Sequence, residues 1–268
     1  MRRLTLAELS RAVADASLPE RSGDFASYIR AGVARDGAKP FITWYDDSTG
    51  ERIELSYLTF ANWVWKTANY LRDGLDVQPG DSVATLLPAH WQTVVVWYAA
   101  WAAGAVVTPV TVEELTGSDV AVVFAREADL PAVVAAAGTF TEVVGLSLRP
   151  MAARLSSGAP GCEDYAVAVP VHGDQFVPAT TVPLSAPALP GCSGAQVLAS
   201  AAAAAAVLGL TSSDRLFVSV DISHPDTFVA TVGAAFDAGA GVVLSPSPAE
   251  SRLARRYTDE LVTVVVDH

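Results

Sequence analysis

The residues able to do chemistry in this chain are few, and several gather where an extended piece runs into a helix. PGCSGAQ, residues 190–196, puts a thiol, a hydroxyl and small residues directly before an Ala-rich run. Ser193 suits three kinds of chemistry. A nucleophile would need a G-x-S-x-G turn after a strand, and GCSGA in a proline-broken segment lacks it. In an anion site, Ser193 would stand among the free N–H groups of a helix N-terminus. As a cap it would occupy one of those groups itself, and this is the reading the residues favour. His90 in LLPAHWQ and His224 in VDISHPDTF each follow an apolar run and precede a helical one. That is the end of an α/β sheet where ligands bind, so either ring could meet a carboxylate or acyl group. The simpler reading is a ring bonded locally to the backbone or, for His224, to Asp226. Asp46 and Asp47 form a carboxylate pair, but they lie in DDSTG, and aspartate favours turns through its own local hydrogen bonds. No catalytic residue is assigned. Cys162 and Cys192 are the only cysteines, without CxxC spacing or a nearby histidine, so no metal site is expected.

Composition limits the partners. Among 268 residues, 51% are hydrophobic, and 17 Lys and Arg stand against 29 Asp and Glu for a net charge of -12. Such a chain can bury a large core, and its charge repels nucleic acid and anionic lipid. The N-terminal stretch has no continuous apolar core, because Glu8, Arg11 and Asp15 interrupt it. Leu4, Leu6, Leu9, Val13 and Leu18 instead predict one face of a helix. No segment reaches the ~18 apolar residues that span a bilayer. No membrane association is expected, and the expected location is the cytoplasm.

The elements that must position these residues alternate. DFASYIRAGVARDG reads as a helix capped by Asp24, and FITWY and ERIELSY as a hairpin around DDSTG. A helix from Ser56 to Gly74, a strand in VQPGDSVATLLP, the helix HWQTVVVWYAAWAAG and the strands AVVTPV, DVAVVFA and EVVGLS follow. Residues 149–192 are broken by prolines and read as a linker or small irregular sheet. From 193 the alternation resumes, opening with a helix whose Ala201 to Ala206 run favours close packing on a sheet. The tryptophans Trp63, Trp65, Trp91, Trp97 and Trp101 fall on two helices and read as core. The pattern predicts an α/β fold, doubly wound, with mostly parallel sheets and helices on both faces. Its expected units are residues 1–148 and 193–268, two fused α/β subdomains joined by 149–192.

Residues 55–110 carry a family resemblance. They contain an L-T-Y-x-E-L-like helix start, a G-V-x-P-G-D-x-V-A-x-L-L-P turn and strand, and AAGAVVTP in place of K-A-G-A-x-x-x-P. This run resembles the N-terminal part of the adenylate-forming AMP-binding superfamily, which includes acyl-CoA synthetases, luciferases and adenylation domains. With LGLTSSDRLFVSVDISHPDTFVATVGAAFDAGAGVVLSP the resemblance spans most of residues 20–268. The chain is similar as well to short actinobacterial AMP-binding-like proteins of unknown function.

The resemblance implies an ATP-dependent ligase of carboxylic acids, and the motifs for that chemistry are eroded. The family cradles ATP phosphates in T-S-G-T-T-G-x-P-K-G, where small residues let N–H groups converge and lysine adds charge. Here the place reads TTVPLSAPALPGCSGAQ, which keeps the hydroxyls of Thr180, Thr181, Ser185 and Ser193. Four prolines between 178 and 190 each remove an N–H donor. The last lysine is Lys66, so neither the phosphate-loop lysine nor that of the family's C-terminal domain has a counterpart. His224 matches the histidine of the family's P-L-F-H motif, although Asp221 and Ser223 replace its proline and aromatic. The expectation is a degenerate, N-terminal-only member without adenylation activity or cofactor. It would act as an interaction or scaffold protein, with a homodimer or protein partner covering the face left by the missing half. One alternative is a module binding an acyl, carboxylate or nucleotide ligand through His90, Thr180, Thr181, Ser193 and His224. Another is a residual ligase, using ATP and Mg²⁺, completed by a partner chain.

Overall fold

Short apolar runs, each ending at a turn into a helix, build the chain as a series of strand-helix units. The computed structural model describes residues 1–14, 21–157 and 160–268. Strand β1 (Arg2–Thr5) leads into helix α1 (Leu6–Ala14), and Asp24 caps α2 (Phe25–Arg35) by accepting the Ser27 N–H at 2.8 Å. Strands β2 (Pro40–Asp46) and β3 (Glu51–Ser56) form the expected hairpin, and the Ser56 side chain caps α3 (Tyr57–Asn69), which ends in a π turn at Tyr70–Gly74. Next come β4 (Ser82–Leu86), α4 (Trp91–Ala103), β5 (Val106–Pro109), α5 (Val112–Leu115), β6 (Val122–Arg126), α6 (Leu130–Ala136) and β7 (Glu142–Leu146). The proline-rich part holds β8 (Glu163–Asp164), α7 (Tyr165–Ala168), β9 (Pro187–Leu189) and β10 (Cys192–Ser193). Helix α8 (Gly194–Leu208), β11 (Arg215–Val218), α9 (Pro225–Phe228), a π turn at Val229–Gly233, α10 (Ala234–Ala238), β12 (Gly241–Leu244), α11 (Glu250–Asp259) and β13 (Val264–Asp267) complete the chain.

The strands form two large sheets. One has the order β5-β4-β6-β7-β8 and is parallel throughout; the other has the order β1-β13-β11-β12-β2-β3 and is parallel except for the β2–β3 hairpin. Side chains alternate along each strand, so each sheet serves two cores. Val83, Phe124, Leu216 and Val242 point into a shared core with the helices between the sheets. Ala84, Val123 and Ala125 pack outward on Leu115, Leu130 and Val133 of α5 and α6, and Phe217, Val243 and Val265 pack outward on α11. The layers are therefore helices, sheet, helices, sheet, helix. Helix α4 is buried along its whole length, which explains why it shows no polar face. Its Trp97 stacks on Phe228 at 4.3 Å and its Trp101 on Phe25 at 5.1 Å, so the tryptophans are core, as expected.

Two expectations differ from the structure. The N-terminal stretch is not one helix: Leu4 lies in β1 opposite Val266, while Leu18 falls outside the described residues. Pairing with β13 satisfies the backbone of Arg2–Thr5 in a ladder, and local periodicity does not register a partner so far along the chain. The division into 1–148 and 193–268 does not follow the sheets either. Strands β1, β2 and β3 complete the sheet built from β11, β12 and β13, because the edges of that sheet carry unpaired N–H and C=O groups. The 149–192 segment contributes β8 to the other sheet and forms a small antiparallel pair, β9–β10.

Candidate functional site

The carboxyl ends of β4 and β5 and the loop after β11 meet around a cleft of about 700 Å³, whose further wall is the β9–β10 hairpin. Open α/β sheets bind ligands at this end of their strands. Leu86, Leu87, Val110 and Leu189 supply apolar lining, while Glu114, His224 and Asp226 bring polar groups. Thr111 and Glu114 form a capping box at the start of α5, in which the Glu114 carboxylate accepts the Thr111 N–H at 2.8 Å. No lysine or arginine is among the described residues lining the cleft. A polyanion entering it would meet two carboxylates and one imidazole.

A second, smaller cavity of about 270 Å³ abuts the cleft, with Leu189, Cys192 and Asp226 lining both. It lies between α1, α8 and the π turn after α9, lined by Val13, Val197, Val229 and Ala230. Cys192 is a free thiol whose pKa burial pushes up, with the Asp226 carboxylate adding to the effect. It is therefore a neutral wall residue and not an activated nucleophile.

The helix start that could have held phosphate is closed by the chain itself. Gly194 N–H donates to Ala186 O at 3.0 Å, Ala195 N–H to Leu184 O at 2.6 Å and Gln196 N–H to the Ser193 hydroxyl at 3.3 Å. Gln196 Oε1 accepts the Ser193 N–H at 2.8 Å, completing a capping box. Each group that an anion would need already has a partner. The hairpin that closes the site turns at Gly191, whose φ of +71° favours glycine, and Trp101 of α4 ties it down by donating to Ala188 O at 2.9 Å. Gly194 must be small, because a Cβ there would come within 2.7 Å of the Phe25 ring.

The sequence-based candidates separate in space. His224 lines the cleft, exposed at the start of α9, and its side chain makes no cap. Ser193 is the α8 cap. Thr180 is exposed in a different groove beside Arg72 and Phe176, and Thr181 is exposed and lines neither cavity. His90 is 2% exposed, packed edge-on against Trp44 at 4.3 Å, with Nδ1 accepting the Gln92 N–H at 3.2 Å. That bond places the proton on Nε2, which has no partner among the described residues. Burial pushes the His90 pKa down to about 3, so the ring is a neutral structural cap.

Of the two carboxylates of the cleft, sequence reasoning passed over Glu114 and named Asp226 only as a local partner for His224. The T-x-x-E spacing marks Glu114 as a capping-box residue, but nothing local aims either residue at a cavity. Asp46 accepts from Ser48 N–H, Ser48 Oγ and Thr49 Oγ1, as a turn residue does. Asp47 instead accepts from Arg256 at 2.6 Å and Arg252 at 3.1 Å, and the Arg256 guanidinium holds its pKa at about 2. Among the described residues, no group of three or more His, Cys, Asp or Glu could hold a metal ion, and no helix is long and apolar enough to cross a membrane.

Known proteins share this architecture. The profile of the family described as AMP-binding enzyme matches residues 29–164. A Mycobacterium tuberculosis (strain ATCC 25618 / H37Rv) protein, named as a TIGR03089 family protein, is 45% identical over 86% of this chain and 93% of its own length. Among solved structures, an acyl-CoA synthetase from Brucella canis aligns with a TM-score of 0.74 at 18% identity, over 96% of this chain and 49% of that one. A long-chain-fatty-acid-CoA ligase from Archaeoglobus fulgidus aligns with a TM-score of 0.74 at 18% identity, over 93% and 52%. This chain spans about half the length of these solved structures. The likeness extends to the α/β fold, with its parallel sheets and flanking helices.

Proposed function

The chain belongs to the AMP-binding enzyme family, and from that premise we propose that it does not form adenylates and acts by binding, with the cleft at the strand ends as its site. The carrying observation is the closed start of α8. Gly194, Ala195 and Gln196 spend their N–H groups on Ala186, Leu184 and Ser193, leaving none to turn toward a phosphate. The cleft beside it offers no cation among its described lining residues. Losing one preorganised donor to a developing charge commonly slows a reaction by about 10²–10³. Loss of the whole cradle together with its lysine removes the means of holding and activating ATP.

The test is a thermal-shift titration with ATP and Mg²⁺, AMP, acyl-CoA and a panel of carboxylic acids, run beside an ATP–pyrophosphate exchange assay. The expected result is no shift and no exchange with ATP. A saturable rise with ATP would sink the proposal, since ligand at 100 times its dissociation constant raises stability by about 2.7 kcal/mol.

A second reading, as an interaction or scaffold protein, is favoured by one segment of the surface. Val171 and Val177 are 81% and 74% exposed, and Val167 near them is 46% exposed. Large apolar side chains left exposed along one stretch of chain suit a second copy or another protein.

A further inference from the structure

The geometry points to an amphipathic amine as the ligand of the cleft: an alkylammonium whose charge meets Asp226 and whose tail enters the smaller cavity. The inference rests on the reading of the cleft as a binding site and names the chemical class of what it takes. The two cavities, of about 700 and 270 Å³, share one wall, so a single elongated molecule can occupy both. Their combined size falls within the range of about 300–1,000 Å³ usual for small-molecule pockets. The smaller cavity is apolar along Val13, Val197, Val229 and Ala230, which suits a hydrocarbon tail.

Asp226 stands on the shared wall, in the first turn of α9. Glu114 lies in the larger cleft, with one oxygen already given to its capping box. No lysine or arginine is among the described residues lining either cavity. A carboxylate or phosphate head group at the junction would be repelled by Asp226 and Glu114, with only the His224 imidazole to set against them. An ammonium there gains a charge-assisted hydrogen bond. The chain's overall charge of -12 adds long-range attraction for a cation.

The probes are octylamine, octanoate and octanol, titrated by calorimetry and thermal shift against the wild type, Asp226→Asn and Glu114→Gln. A hydrogen bond to a charged group corresponds to roughly ten- to a hundredfold in affinity. Octylamine should bind at least about tenfold more tightly than octanol, with octanoate weakest, and Asp226→Asn should erase the preference. Glu114→Gln should weaken octylamine less, because that carboxylate is shared with the Thr111 N–H. Thermal melts of the unliganded variants establish that Asp226→Asn folds as the wild type does. If octylamine binds Asp226→Asn as tightly as the wild type, its attraction is to the acidic surface at large, and the assignment is overturned. If octanoate or octanol binds best, the cleft remains a binding site and the assigned charge is wrong. If none of the three binds, the reading of the cleft as a binding site falls, and the amine assignment with it.

Discussion

His90 separates a residue's position in the sequence from its role. Its place between a strand and a helix allowed ligand contact, but the ring faces Trp44 and caps α4, the local bonding that was the simpler reading. Burial holds its folded pKa at about 3, against about 6.5 in an unfolded chain. Between those values the unfolded chain takes up a proton that the folded chain refuses. Stability is therefore highest above about pH 6.5 and is lost as pH falls toward 3, by up to about 1.4 kcal/mol per pH unit. Urea midpoints at pH 7, 6 and 5 should fall more steeply for the wild type than for His90→Asn, since Asn can cap the helix without titrating. Equal slopes would show that another group carries the acid sensitivity. The Asp47 pairing with Arg256 was illegible for a different reason: its partner lies on α11, and no local pattern connects a turn to a helix so distant in sequence.

At the scale of elements, the α8 start shows how a proline-rich segment alters a helix terminus. In the sequence the prolines remove donors from a cradle, which is a statement about one stretch of chain. The fold adds that the chain leading into β9 places the carbonyls of Leu184 and Ala186 on the helix's own N–H groups. Ser193 caps the same terminus, so Ser193→Ala should cost about 1 kcal/mol in chemical denaturation. If that variant also gained affinity for inorganic phosphate, the terminus would be an available anion site and not a closed one. The Ala-rich run of α8 was legible as a close-packing helix, but the sequence placed it on a sheet, whereas it packs on α1, α10 and the π turn before α10. A Cβ built on Gly233 would lie 3.3 Å from that of Ala201, so the helix and the π turn touch nearly backbone to backbone.

For the whole molecule, the question is where a partner would attach. The six-stranded sheet ends in β1 and β3, whose sequences RRLT and ERIELS carry charged residues that discourage edge-to-edge pairing. The exposed valines at 167, 171 and 177 carry no such protection and are the expected contact. Light scattering at high micromolar concentration should show association, and Val171→Asp should reduce it. A sharp monomer, with no partner recovered in a pull-down, would remove the interaction reading. The layered fold is also why the units expected from the sequence do not match the sheets: hydrophobic periodicity reports which face of an element is buried, not which sheet it joins.

The sequence by itself determined the alternation of strands and helices, the tryptophans as core, the turn at Asp46, the cap at Ser193 and the family. Each of these depends on interactions within a few residues or on a motif of contiguous chain. Only the tertiary structure decided that β1 pairs with β13, that the chain before β9 closes the α8 start, that Thr180 and His90 stand apart from His224, and that Glu114 and Asp226 share a cleft with no lysine or arginine among its described lining residues. The α8 start is closed by neighbouring chain whose path the fold sets, and the other outcomes are set by contacts between residues far apart in the chain, where packing and backbone pairing select the partners and local propensity carries no information about them.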